Sequence, residues 1–162
     1  MGSIAFLAGI VIVIVSTEFH PSREDPTNHP LVFMEYANSD PWIAVHIGQF
    51  AGGIVVFAGG FGSLYLLLVR SESSTTPALA LLGFAVAIMT ASAIAILQAV
   101  DWIALKMAVD SWAVAEEKAI TFRVAEGIGW TEIGTNSIVR ILQGTVASIT
   151  LAHPLHGREA AS

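Results

Sequence analysis

Apolar positions in this chain fall into long runs, and charge is almost wholly confined to the polar punctuation between them. Met1 to Thr17, Trp42 to Val69 and Ser73 to Val100 contain no Asp, Glu, Lys or Arg, and Gly127 to Pro154 contains only Glu132 and Arg140. A helix of about 20 mostly apolar residues crosses a bilayer core, so each run is close to or beyond spanning length. With 54% hydrophobic residues and a mean hydropathy of +0.71, the chain carries material for about four such spans. The expected fold is therefore all-α: an integral membrane antiparallel four-helix bundle, multi-pass in the cell membrane and embedded in lipid. It forms one domain over residues 1–162, with spans near 3–19, 42–69, 77–100 extending to 113, and 118–152.

Punctuation sets the boundaries. The run His20-Pro-Ser-Arg-Glu-Asp-Pro-Thr-Asn-His-Pro30 has three prolines and no apolar period, so it reads as a loop after the first helix. Leu31 to Asn38 places Val32, Phe33, Tyr36 and Ala37 on one side and Leu31, Met34, Glu35 and Asn38 on the other, which predicts a short interfacial helix. Ser39-Asp40-Pro41 has the composition of a cap for the second long helix. The polar linker Ser71 to Pro77 is short, which makes the helices on either side antiparallel neighbours. Beyond Val100 the third helix continues through Trp102, Leu105, Val109 and Trp112 at helical spacing. Lys106 stands one turn from both Asp110 and Trp102, placed for an ion pair and a cation–π contact. A turn is expected near Ala113 to Glu117. The third and fourth helices then each reach about 50 Å, well past a core of about 30 Å, and the excess caps the loop side.

The first run lacks a preceding basic residue and a following small-x-small site, so it reads as a retained helix rather than a cleaved leader. It is also short, and an upstream extension is compatible with it. Arg23, Lys106, Lys118 and Arg123 lie on the loop side against Arg70 and Arg158 opposite. Those loops are long and strongly acidic, and the expectation is that both termini face inward.

Two polar patterns lie inside the apolar runs. Gly48, Gly52, Gly59 and Ser63 share a stripe of the second long helix, with Trp42, His46, Gln49, Gly53 and Gly60 on the adjacent one. Small residues let helix backbones approach closely in lipid, so the stripe reads as a packing seam. On the fourth helix Gly129, Glu132, Asn136, Arg140 and Gln143 fall within about 80° of one another. An arginine near the middle of a span costs about 2.5 to 3.5 kcal/mol, so Arg140 needs a carboxylate, an amide cluster or water. Glu132 lies about 12 Å away along the axis, too far for direct pairing. Gln98 and Asp101, one turn apart on the third helix, are the expected partners. In this polar seam Arg140 is the buried countercharge, Glu132 and Asp101 are titratable groups, and Asn136, Gln143 and Gln98 are hydrogen-bond relays. Internal glue between helices explains the same pattern without any ligand.

A third constellation, His20, His29, Glu35, Asp40 and His46, gathers on the loop side. Imidazole with carboxylate suits zinc, copper or non-haem iron, and the candidate ligands are His20, His29 and His46. Their spacing matches no ligand motif, and His20 and His29 each precede proline in what reads as an ordinary turn. No cysteine is present, which removes disulfides, thiolate metal sites, Fe–S clusters and a cysteine nucleophile. A net charge of -6 with seven Lys plus Arg leaves no basic face for nucleic acid. Nothing in the pattern identifies a cofactor.

The segments HPSREDPTNHP, EYANSDPWIAVHIGQF and VDWIALKMAVDSW, in this order between apolar helices, resemble a type of uncharacterised polytopic membrane protein of actinobacteria and haloarchaea. The resemblance spans most of residues 18 to 140. It implies a helical membrane fold and points to His20, Trp42, His46, Asp101 and Lys106 as recurrent polar positions, with further membrane helices usual in that type; it implies no activity. Three functional readings follow from the residues. The first is binding, transport or sensing of a small solute, ion or proton at the polar seam. The second is a metal- or cofactor-binding membrane enzyme or redox subunit. The third is a structural subunit whose stripe is satisfied by another copy or another membrane protein.

Overall fold

The computed structural model describes residues 2–21, 24–25, 27–69 and 76–159, without the side chains of 76 and 151–159. The linker Ser71 to Thr75, Arg23, Arg70 and the side chains of His153, His156 and Arg158 lie outside the described residues. All regular elements among the described residues are helices. Helix α1 is Gly2–Glu18 and α2 is His29–Ala37. Helix α3 is Trp42–Leu68, with a π-helical stretch at Val55–Gly60. Helix α4 starts as Thr76–Gln98, passes through a second π-helical stretch, Ala99–Leu105, and ends as Lys106–Val114. Helix α5 is Lys118–Glu159, running further than the expected exit near 152. Two helices, Trp42–Leu68 and Pro77–Val114, are long and apolar enough to cross a membrane, and α1 is a shorter apolar helix.

Most punctuation acts as its chemistry dictates. Pro30 occupies the first turn of α2, where a missing N–H is harmless. Ala115 turns extended at φ -68°, ψ 143°, and ends α4. The cap of α3 differs from expectation: Pro41 itself is the N-cap, its carbonyl accepting from Val45 N at 2.9 Å, and no side chain bonds the helix start. Lys106 also differs. Its Nζ does pair with Asp110 at 2.8 Å, but it also turns to the carbonyls of Tyr36 (3.1 Å) and Ala37 (3.0 Å) at the end of α2. The cation–π contact among the described residues is Lys118 over Trp112, at 5.4 Å.

The long helices pack in chain order. Helix α1 lies on α3, α3 on α4, and α4 on α5, while α2 covers the last part of α4. Each of the four small residues on α3 meets α1: Gly48 meets Ser16, Gly52 meets Gly9 and Val13, Gly59 meets Ala5, and Ser63 meets Gly2. Contact residues rise along one helix as they fall along the other, so this pair runs in opposite directions. Two cores result. Val56, Phe57, Val86, Ala87, Ala91, Ile94, Val139 and Val146 form one, shared by α3, α4 and α5. Val32, Phe33, Leu105, Ala108, Val109, Trp112 and Ala125 form the other, shared by α2, α4 and α5. The apolar side of α2 in the sequence pattern is the side buried there. Large apolar side chains also face outward, among them Leu7 at 62%, Leu67 at 69% and Ile141 at 68% exposure.

Candidate functional site

Between the two cores the helices do not close on one another. A groove of about 820 Å³ runs there, walled by α1 (Ile10, Val13, Ile14, Thr17), α3, α4 and α5. All six residues of the polar seam, Gln98, Asp101, Glu132, Asn136, Arg140 and Gln143, line it. Asn136 sits beside the Glu132 carboxyl, and Asp101, Arg140 and His46 lie within electrostatic reach of that carboxyl. Arg140, expected as a buried countercharge, is instead exposed at the groove, because it lies on the open side of α5, and among the described residues no carboxylate comes within 4.0 Å of its guanidinium. Gln98 is 6% exposed, yet its Oε1 accepts no hydrogen bond among the described residues. A buried acceptor left open in this way costs about 1 to 3 kcal/mol unless something fills it.

At the loop end of the groove stands a compact histidine cluster. His46, fully buried, places Nδ1 2.7 Å from the carbonyl of Trp42 and Nε2 3.0 Å from Oδ2 of Asp101. A carbonyl only accepts, so Nδ1 carries a hydrogen and Nε2 is the nitrogen turned to the Asp101 carboxyl. His20 approaches the same point from the end of α1, its Nδ1 held by the Pro21 carbonyl at 2.8 Å. One ligand atom from each of His20, His46 and Asp101 lies within 4.8 Å of the others. Burial lowers the His20 imidazole below its usual range despite the opposing pull of Asp101, so the ring is neutral at pH 7.

Aromatic rings wall this cluster. Trp42 packs on His46 at 4.4 Å and on Tyr36 at 4.8 Å, and His20 lies 5.2 Å from His46 and 5.5 Å from Trp42. Burial, with Asp101 and Glu132 adding to it, raises the Tyr36 phenol well above its ordinary value, so it remains a neutral hydroxyl beside the groove. The π-helical stretch Ala99–Leu105 carries both Asp101 and Trp102, and the Trp102 carbonyl accepts from the Trp42 indole at 3.1 Å. Such stretches shift the register of side chains and recur at functional sites.

His29 stands apart from the other two histidines. It bonds Glu126 at 3.3 Å and packs between Phe33 and Trp130, over a second opening lined by Pro30, Phe122 and Ile133. Its place in the cluster is taken by Asp101, which also lines the polar seam. Of the other loop-side residues, Glu35 accepts from the Glu24 backbone at 3.3 Å. The participation of Trp42 and Tyr36 as walls also escaped the sequence pattern, although Trp42 lies one helical turn before His46 and was a signal of shared placement. Compared with family models, curated proteins and solved structures, the chain finds no match.

Proposed function

We propose that this chain is a multi-pass membrane protein, four antiparallel spans formed by α1, α3, α4 and α5, whose groove binds a small polar solute. The observation that carries the reading is the convergence of six polar side chains on one groove while large apolar side chains face outward from the same helices. Apolar exposure on this scale suits lipid, and polar groups inside a span gather where water or a ligand reaches them. Two groups in the groove support a particular kind of solute. Arg140, with no carboxylate in pairing distance, receives an anionic group, and Gln98 Oε1 accepts an N–H or O–H. Small hydroxy acids and amino acids have both. The resemblance of the loop-side segments to polytopic membrane proteins supports the membrane part of this reading.

Because the chain has no cysteine, single reporters are simple to introduce. In membrane vesicles Asn136→Cys reacts with a water-soluble maleimide, and Ile141→Cys, on the outward side of the same helix, does not. Equal labelling of both positions would refute the membrane-embedded groove. In detergent, a bound hydroxy acid or amino acid raises stability by about 2.7 kcal/mol at 100 times its Kd, and Arg140→Gln removes that increment. A screen of such anions in which none stabilises the parent chain more than the Arg140→Gln variant would refute the solute assignment.

A further inference from the structure

We propose that His20, His46 and Asp101 form a binding site for one divalent first-row transition metal ion, of the zinc and iron(II) class, at the loop end of the groove. The ligand set differs from any trio of histidines: it takes two imidazoles from the α1 terminus and α3, and a carboxylate from the π-helical stretch of α4. This site is independent of what occupies the rest of the groove.

Three observations carry the assignment. First, the donor atoms already converge. Bonds of about 2.0 to 2.1 Å to a tetrahedral ion place ligand atoms roughly 3.4 Å apart, or about 3 Å for adjacent octahedral positions. His46 Nε2 and Asp101 Oδ2 are 3.0 Å apart, and no pair among the three exceeds 4.8 Å, so the widest need close by at most about 1.4 Å. Second, both imidazoles are oriented as metal ligands are. Each has its Nδ1 against a backbone carbonyl, Trp42 O at 2.7 Å and Pro21 O at 2.8 Å, which fixes the hydrogen on that nitrogen and leaves Nε2 with the lone pair. Third, the site is enclosed and yet reachable. Trp42 and Tyr36 shield it, His46 is fully buried, and His20 and Asp101 face the groove.

Donor chemistry selects the ion. Two imidazoles with one carboxylate suit zinc, iron(II) or cobalt, whereas magnesium and calcium prefer oxygen ligands throughout. Three protein ligands leave at least one coordination position open, the arrangement of sites that bind an exchangeable molecule rather than of closed structural sites. That position faces the groove, since the two accessible ligands do.

The test uses the full chain purified in detergent, stripped with chelator and then titrated with Zn²⁺ by calorimetry and with Co²⁺ by visible absorption, with excess Mg²⁺ present. One equivalent binds, and Co²⁺ shows the ligand-field bands of a nitrogen- and oxygen-ligated ion. His20→Asn and Asp101→Asn weaken binding by more than about 100-fold, beyond the 10- to 100-fold loss typical of groups that merely support a ligand. His29→Gln leaves binding unchanged. Circular dichroism and gel filtration establish that each variant is folded; His20 is part-exposed, so His20→Asn decides the matter even where substitution of the buried His46 disrupts the chain. No stoichiometric uptake, uptake undiminished in folded His20→Asn, or uptake lost in His29→Gln would each overturn the assignment.

Discussion

At Gly9 and Gly52 the backbones of α1 and α3 meet directly, each glycine lying against the other's carbonyl oxygen, which yields a prediction with a defined sign and coupling. A Cβ at residue 52 would stand 2.7 Å from Val13 Cγ2 and 2.8 Å from the Gly9 carbonyl oxygen. A Cβ at residue 9 would stand 2.7 Å from Val56 Cγ2 and 2.8 Å from the Gly52 carbonyl oxygen. Ordinary contact begins at 3.4 Å, so either alanine forces the two backbones about 0.6 Å further apart. Overpacking of this kind destabilises by about 1 to 3 kcal/mol, and the helical preference of alanine over glycine returns up to about 1. Gly52→Ala and Gly9→Ala should therefore each lose about 0.5 to 2 kcal/mol. The same retreat of α1 relieves both clashes, so the double variant should fall short of the sum by about 1 kcal/mol or more. Reversible unfolding in mixed micelles, followed by tryptophan fluorescence, measures all four corners of the cycle. Additivity within about 0.5 kcal/mol would refute the direct backbone contact, and with it the placement of α1 as a groove wall.

Gly134 has nothing within 4 Å of its would-be Cβ, so Gly134→Ala should be neutral or stabilise by up to about 1 kcal/mol in the same assay. Trp42→Phe removes the indole donor from the Trp102 carbonyl and leaves a void in the wall of the histidine cluster, and should destabilise by about 2 to 3 kcal/mol. Trp130→Phe, at a residue 60% exposed, should change stability by less than about 0.5 kcal/mol, and comparable losses in the two variants would count against the cluster as built. Lys106→Met takes the ammonium from the last carbonyls of α2 and should speed amide exchange across Met34 to Asn38, with a stability loss of about 1 to 2 kcal/mol. Unchanged exchange there would show that α2 is held by its buried face alone.

Local physics explains what was legible early. Charge-free runs, prolines and the i, i+3, i+4 period act within a few residues, so they marked the long helices, the short α2 and its buried face, and the turn before Lys118. The stripe of Gly48, Gly52, Gly59 and Ser63 was visible for the same reason, as was the clustering of Glu132, Asn136, Arg140 and Gln143 on one side of α5. Even there the local signal stopped short of partners. It could say that Lys106 stands one turn from Trp102 and Asp110, but the carbonyls of Tyr36 and Ala37 belong to another helix and compete for the same ammonium.

By itself, then, the sequence determined an all-helical chain, where its apolar helices run, which faces are small or polar, and which chemistries its composition lacks. Tertiary structure alone decided which separated residues meet. His46 reaches Asp101 across 55 positions of chain, while His29 turns away to Glu126, because the rotation and depth of each helix are set by how ridges and small residues pack, not by spacing along the chain. The π-helical stretch that carries Asp101 has the same origin. It changes the register of one helix by a fraction of a turn, a quantity that no hydrophobic period encodes and that the Trp42 to Trp102 contact stabilises only once α3 and α4 are side by side.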